Sequence, residues 1–241
     1  MVMALKQLHM RTAIREDAPR IAEIHMAAFG SNAMLHAQFP TLAIRKGLQT
    51  CTKEKALADI NDPKTTVLVV TSSDARDSEY ISCDERTTDF PTMPSGPENT
   101  AGTVIAFAKW SHPVLPGEEY VEPPWIWPEG TDLDTLGAWI ANAAEVESRS
   151  AVGGAPCYHL SFIGTDPSFG HRGAGHLLVQ WGIQQSNESG APVYLESTIE
   201  AAPFYENMGF TSGEAISLPI CVDGGTETQI YEEIVFTYCP T

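Results

Sequence analysis

The stretch Asp166-Pro167-Ser168-Phe169-Gly170-His171-Arg172-Gly173-Ala174-Gly175-His176-Leu177-Leu178 decides how this chain is read. The apolar run Tyr158-His159-Leu160-Ser161-Phe162-Ile163-Gly164 before it reads as a buried strand. After it, Leu177, Leu178 and Trp181 share one face of a helix. A turn of small residues between a strand and a helix start leaves backbone N–H groups without partners. The positive end of the helix dipole stands behind them. Such a turn binds anions, most often phosphate.

Glycine turns of this kind serve several ligands. A phosphate-binding loop of the G-x-x-x-x-G-K-[ST] type needs a Lys and a hydroxyl that this segment does not supply. A dinucleotide fingerprint needs a third glycine and an acidic residue at the end of a following strand. Gly173-Ala174-Gly175-His176-Leu177-Leu178 has neither, and it falls late in the chain.

The 241 residues are 43% hydrophobic, enough for one substantial core or two small ones. No apolar run approaches the ~18 residues that span a membrane, and no signal-peptide core is read in Met1 to Arg11. A cytoplasmic protein without membrane association is expected. The five cysteines, Cys51, Cys83, Cys157, Cys221 and Cys239, form no CxxC pair and read as reduced thiols. The net charge of −17 argues against nucleic acid as a partner, because phosphate neutralisation needs a basic surface. A phosphorylated ligand must then be held by local donors, which suits a backbone cradle. Cys157, His159, His171 and His176 match no zinc spacing, so no metal is expected.

Outward from the turn, the chain reads as alternating elements. Met10 to Ile14 is a short strand, and Asp17 caps a helix in which Ile21, Ile24, Ala28 and Phe29 share a face. His36 to Lys55 is weakly patterned helix. Thr65 to Thr71 and Gly102 to Trp110 are strands that form a hairpin with an oversized connection. A strand fragment is expected near Tyr80-Ile81. Leu133 to about Ser148 is a helix, Val193 to Ser197 a strand and Ala201 to Asn207 a short helix closed by Gly209. Gln229 to Tyr238 is a final strand entered by an Asp223-Gly224-Gly225 turn, with Glu232 an exception on its apolar face. The whole of 1–241 is read as one α/β domain. It carries an acidic, polar loop insertion at about 72–100 and a Pro/Trp-rich loop at about 111–132. Trp125 and Trp127 in that second loop anchor it to the body or line a pocket.

The turn does not stand alone. With Ala202-Pro203-Phe204-Tyr205-Glu206-Asn207-Met208-Gly209-Phe210 it resembles the GCN5-related N-acetyltransferase (GNAT) superfamily, in its small-molecule branch. The resemblance is close from about Leu160 to Phe210 and looser at Arg11 to Asp17. It implies a mixed, mostly antiparallel twisted sheet flanked by helices, with splayed central parallel strands. The family pattern [RQ]-x-x-G-x-[GA] is met at Gly173 and Gly175, whereas Gly170 stands at the Arg/Gln position.

From that resemblance follows transfer of acetyl from acetyl-CoA to a small amine by direct attack. Main-chain groups of Phe162, Ile163 and Gly164 would hold pantetheine. The turn, Gly170, His171, Arg172, Gly173, Ala174, Gly175 and His176, would hold the pyrophosphate. Tyr205 would protonate the leaving thiolate, and a main-chain N–H near Ile163 would stabilise the oxyanion. The residues do not single out the general base, for which His159, Asp166 and Glu196 all stand at strand positions near the turn. An acyl-CoA-binding regulatory module and a protein N-terminal or lysine acetyltransferase are the competing readings. The acceptor and the oligomeric state, a homodimer included, are open.

Overall fold

The order of elements follows from where the hydrophobic periodicity changes. In a computed structural model, residues 8–73, 102–221 and 228–240 are described. The insertion expected at about 72–100, with its strand fragment near Tyr80-Ile81, lies almost wholly outside these residues. So do Cys83 and the Asp223-Gly224-Gly225 turn.

Seven strands form one sheet: β1 Leu8–Thr12, β2 Thr65–Ser72, β3 Thr103–Ser111, β4 Tyr158–Thr165, β5 Val193–Thr198, β6 Thr211–Cys221 and β7 Thr228–Tyr238. Their order is β1-β2-β3-β4-β5-β7-β6. Every neighbouring pair is antiparallel except β4 and β5. The parallel pair is short. It joins Tyr158 to Val193, His159 to Tyr194 and Leu160 to Leu195, and then the strands part. β4 runs on to Thr165 and β5 to Thr198. This is the expected α/β sheet with splayed central strands.

Helices cover both faces. On one, α5 (Ala174–Ser189) and α6 (Ala202–Asn207) pack over Trp110, Leu160, Leu195 and Phe236. On the other lie α1 (Ala18–Phe29), α2 (Ala33–Gln38), α3 (Leu42–Ile60) and α4 (Leu133–Arg149). The β-branched run of β2 is buried except at Thr66, with Val69 and Val70 fully enclosed. Burial of such side chains contributes roughly 1.5–3 kcal/mol each. Gly182 on α5 lets the helix sit against the sheet: a Cβ there would stand 2.2 Å from the fully buried Trp110 ring.

Three expectations are corrected. The first strand ends at Thr12, because Ala13 turns to donate to the Val67 carbonyl and Ile14 opens a 3-10 turn. Asp17 precedes α1 but does not cap it with its side chain; its carboxylate accepts from the Ile14 amide and pairs with Arg11. The helix read across His36 to Lys55 is two helices, since Pro40 breaks the chain and Thr41 caps a new start.

Candidate active site

The turn after β4 has the backbone that its sequence requires. Asp166 caps a 3-10 turn at Pro167–Phe169, accepting from the Ser168 amide. Gly173 then opens α5 at φ 91°, a left-handed conformation that glycine adopts without steric cost. His171 takes φ 58°, the one positive φ of a non-glycine among the described residues. Left-handed residues in a tight turn direct successive amides to one side and make a concavity suited to anions. The first amides of α5, from Ala174 onward, have no acceptor within the helix. Gly175 leaves ordinary van der Waals space to Phe204. Gly170 has an extended backbone (φ −57°, ψ 159°), and its open side would admit a side chain.

Arg172 stacks on Phe169, its guanidinium carbon 4.7 Å from the ring centroid. The acid at Asp166 is engaged structurally. Arg20 on α1 donates to it at 2.5 Å and also to the Val104 carbonyl, tying α1 to the cradle. Although its desolvation acts the other way, the Ser168 amide and Arg20 hold its carboxyl below the usual range.

Phe162, Ile163 and Gly164 lie on β4 beyond the last pairing with β5. β3 pairs with their other edge. Their β5-facing main chain therefore has no strand neighbour, as a ligand running along β4 requires. Gly164 also serves packing, since a Cβ would approach the Phe107 ring to 2.9 Å.

On the α1–α4 face, the parting strands open into a cavity of about 580 Å³. Its walls are aromatic: Phe29, Phe39, Trp125, Trp127, Trp139, Phe162, Tyr205 and Tyr231. Its charges are one-sided. Glu147, Glu196 and Glu233 line it, with His25 and His159, and no Lys or Arg is among the described lining residues.

The two tryptophans resolve the reading of the Pro/Trp loop. Trp125 and Trp127 stack in parallel, centroids 4.7 Å apart, and pack on Phe162 and Phe39. They anchor the loop and wall the cavity at once. Ion pairs hold the loop in place. Lys55 on α3 and Lys109 on β3 are both buried, share Asp59, and reach out to Glu122 on the loop. Lys64 pairs with Glu118 at 2.6 Å, and Tyr120 donates to Asp62.

Three residues expected to do chemistry line this one cavity. His159 Nε2 lies 2.9 Å from Glu196 Oε2, across the point where the strands separate. Burial alone would lower the His159 value, but Glu196 raises it; burial alone would raise Glu196, but His159 holds it down. Each group thus favours the charged form of the other, and the two satisfy each other. Tyr205 is buried, its ring among Phe204, Phe210 and Phe236, while the residue also borders the cavity. Core and site roles coincide in it. Burial and the nearby Glu233 push its hydroxyl pKa up, so it keeps its proton at neutral pH.

Glu233 escaped the sequence reading. It sits on β7 opposite Thr198 of β5. Its Oε1 accepts from the Tyr231 hydroxyl at 2.6 Å, and that hydroxyl accepts from Asn32 Nδ2 at 2.8 Å. Burial pushes its carboxyl up to about 7, helped by the charge of Glu196 and opposed by the Tyr231 bond. The available signal was alternation: Tyr231, Glu233 and Val235 share a strand face, and Val235 is fully buried. Attention to Glu232 fell on the wrong neighbour, whose carboxylate is exposed and accepts from Ser217.

A model of the acetyltransferase (GNAT) family matches residues 102–210. That segment holds β3, the Pro/Trp loop, the splayed strands, the cradle and Tyr205. Residues 102–210 thus carry a GNAT-family acetyltransferase segment. A short stretch is also similar to the "Probable acyltransferase SID5" of Ajellomyces capsulatus: 46% identical over 39 residues, which are 16% of this chain and 29% of that relative. The match thus spans less than a third of the relative's length. Among solved structures, the fold is similar to a histone acetyltransferase HPA2-related acetyltransferase of Corynebacterium glutamicum. There the TM-score is 0.57 and the identity 15%, over 97% of each chain. It is similar too to the polyamine N-acetyltransferase of Drosophila melanogaster, with TM-score 0.55 and 11% identity over 97% of this chain and 100% of the other. At these identities the structural likeness shows the fold alone.

Proposed function

We propose that this chain is an N-acetyltransferase that moves the acetyl group of acetyl-CoA to a small, cationic amine. The observation that carries the reading is the one-sided cavity at the strand split. It has three carboxylates, no described Lys or Arg, an aromatic wall, and Tyr205 at its border. Carboxylates and aromatic faces both favour a cation over a neutral or anionic acceptor. The enclosing Pro/Trp loop favours a small acceptor over a protein tail. The D. melanogaster protein of similar fold is named for polyamines, which are cationic amines.

The residues fit the co-substrate. The unpaired edge of β4 at Phe162, Ile163 and Gly164 takes the pantetheine arm by main-chain hydrogen bonds. The amides from His171 to His176 take the pyrophosphate, by charge-assisted bonds at a helix start. Gly170 contributes no side chain, so this cradle works through its backbone. Acetyl-CoA supplies the activated acyl group. The protein places the amine nitrogen beside it, and Tyr205 donates a proton to the departing sulfur. The His159–Glu196 pair, already satisfied, braces the floor of the cavity.

The test is CoA release from acetyl-CoA across a panel of amines of different charge and shape. Release that depends on a cationic amine supports the reading. If acetyl-CoA binds and no amine raises release above background, the chain is an acyl-CoA-binding module instead.

A further inference from the structure

Three titratable groups, His159, Glu196 and Glu233, line the cavity, and their surroundings differ. His159 and Glu196 are committed to each other at 2.9 Å. Glu233 has one oxygen fixed by Tyr231 and no Lys or Arg partner among the described residues. It also lies close enough to Tyr205 for its charge to act on that hydroxyl. A proton acceptor and a proton donor thus border the same space, on β7 and α6.

Resting on the acetyltransferase reading, we propose that Glu233 is the base that takes the ammonium proton of the acceptor, oriented by the Asn32–Tyr231 hydrogen-bond chain. The acceptor enters as R–NH3+, and one proton passes to the Glu233 carboxylate and from there to solvent. The freed nitrogen lone pair forms the C–N bond at the thioester carbonyl carbon. As the C–S bond breaks, sulfur keeps the electron pair and takes the Tyr205 proton. The second proton lost by nitrogen restores the Tyr205 hydroxyl. The products are the amide, CoA thiol and one proton released to solvent.

Geometry separates Glu233 from Glu196. Glu196 is neutralised by His159, and its pKa is held low, which makes it a poor acceptor. Burial raises Glu233 into the range where a base works at neutral pH, and Tyr231 keeps it from rising further. The titratable groups facing it are Tyr231 on its own strand, Glu196 on β5 and Tyr205 on α6, with Glu200 acting on Tyr231. Its partner on β6, Ile216, carries no charge.

The experiment uses the purified full chain and the best amine from the panel. Turnover is followed against pH for wild type, Glu233→Gln, Glu233→Asp and Tyr231→Phe, with acetyl-CoA affinity and melting measured alongside. Glu233→Gln is expected to lower kcat on the order of 10²-fold, as loss of a general base does, and to abolish the acidic limb of the profile. Acetyl-CoA affinity stays within about twofold, and Glu233→Asp recovers part of the rate. Tyr231→Phe removes the donor to Oε1, so the limb moves to higher pH. Should Glu233→Gln not fold, that displacement decides. A wild-type limb retained in Glu233→Gln, or an unmoved limb in Tyr231→Phe, overturns the assignment. Wild type that shows no amine-dependent turnover overturns the acetyltransferase reading and this assignment with it.

Discussion

His159, within the β4–β5 ladder, and Glu196, one residue past its last pair, bridge the two strands 2.9 Å apart. The ion pair takes over where the ladder ends, and it holds the mouth of the split together. Its contribution to stability depends on pH in a defined way. His159 is raised in the fold, so its share is complete below its ordinary value of 6.5 and is lost as pH rises through the folded value. Glu196 is lowered, so its share is complete above its ordinary 4.5 and is lost as pH falls through the folded value. The urea midpoint difference between wild type and Glu196→Gln should therefore be widest between pH 4.5 and 6.5. A difference that is flat from pH 4 to 9 would contradict the charged pair.

His25 has the opposite sign. It is buried among Phe29, Phe107 and Phe162, and burial lowers its pKa from 6.5 to about 4. Above 6.5 neither state is charged, and the residue contributes no slope. Below it the unfolded chain takes a proton that the fold refuses, and stability falls on the order of 3 kcal/mol by pH 4. Denaturant titrations at pH 7 and pH 4.5 should show the loss in wild type and a smaller one in His25→Phe.

Tyr205→Phe separates the two roles of that residue. The ring contacts with Phe204, Phe210 and Phe236 survive, so the melting temperature should hold within a few degrees. Loss of the donor should lower kcat at least tenfold, with acetyl-CoA affinity unchanged. Isothermal titration and steady-state kinetics measure both, and undiminished turnover would remove the proton-donor role.

The glycines of the cradle should differ sharply. Gly173 stands at φ 91° with nothing within 4 Å of a Cβ, so Gly173→Ala meets backbone strain of about 1–2 kcal/mol and no clash. The turn should relax and acetyl-CoA affinity fall tenfold or more. Gly170→Ala, with extended backbone and room for its methyl, should bind as wild type does. Equal affinities for the two variants would argue that the turn does not hold the pyrophosphate.

Asp59 is shared by two buried lysines, Lys55 and Lys109, beneath the tryptophan loop. Asp59→Ala leaves both charges poorly compensated in a site that excludes water. Such a loss costs roughly 3–5 kcal/mol. The loop that Glu122 ties to the same lysines should loosen, raising KM for the amine more than for acetyl-CoA. Chemical denaturation and separate KM values give the answer; a stability change below about 1 kcal/mol would show the cluster to be dispensable.

Local chemistry wrote much of this protein into its sequence. The strand–glycine turn–helix unit was legible because it is contiguous: Gly173 needs a left-handed backbone, and the apolar faces flanking it have strand and helix periods. The cradle residues, the antiparallel hairpin of β2 and β3, and the irregular Pro/Trp loop were readable for the same reason. The break at Phe39-Pro40 was missed although Pro40 announced it, since the weak pattern around it hid two short helices. Other features depend on which strands become neighbours. His159 and Glu196 are 37 residues apart, and nothing local says that they neutralise each other. Glu233 is one of 31 acidic residues in the chain. It becomes distinctive only when β7 pairs with β5 and burial raises its proton affinity. The sequence by itself determined the fold and the backbone of the glycine turn. The tertiary structure alone decided that Glu196 is paired with His159 and that Glu233 is not, because charge pairing and desolvation are properties of the packed sheet and not of any segment of it.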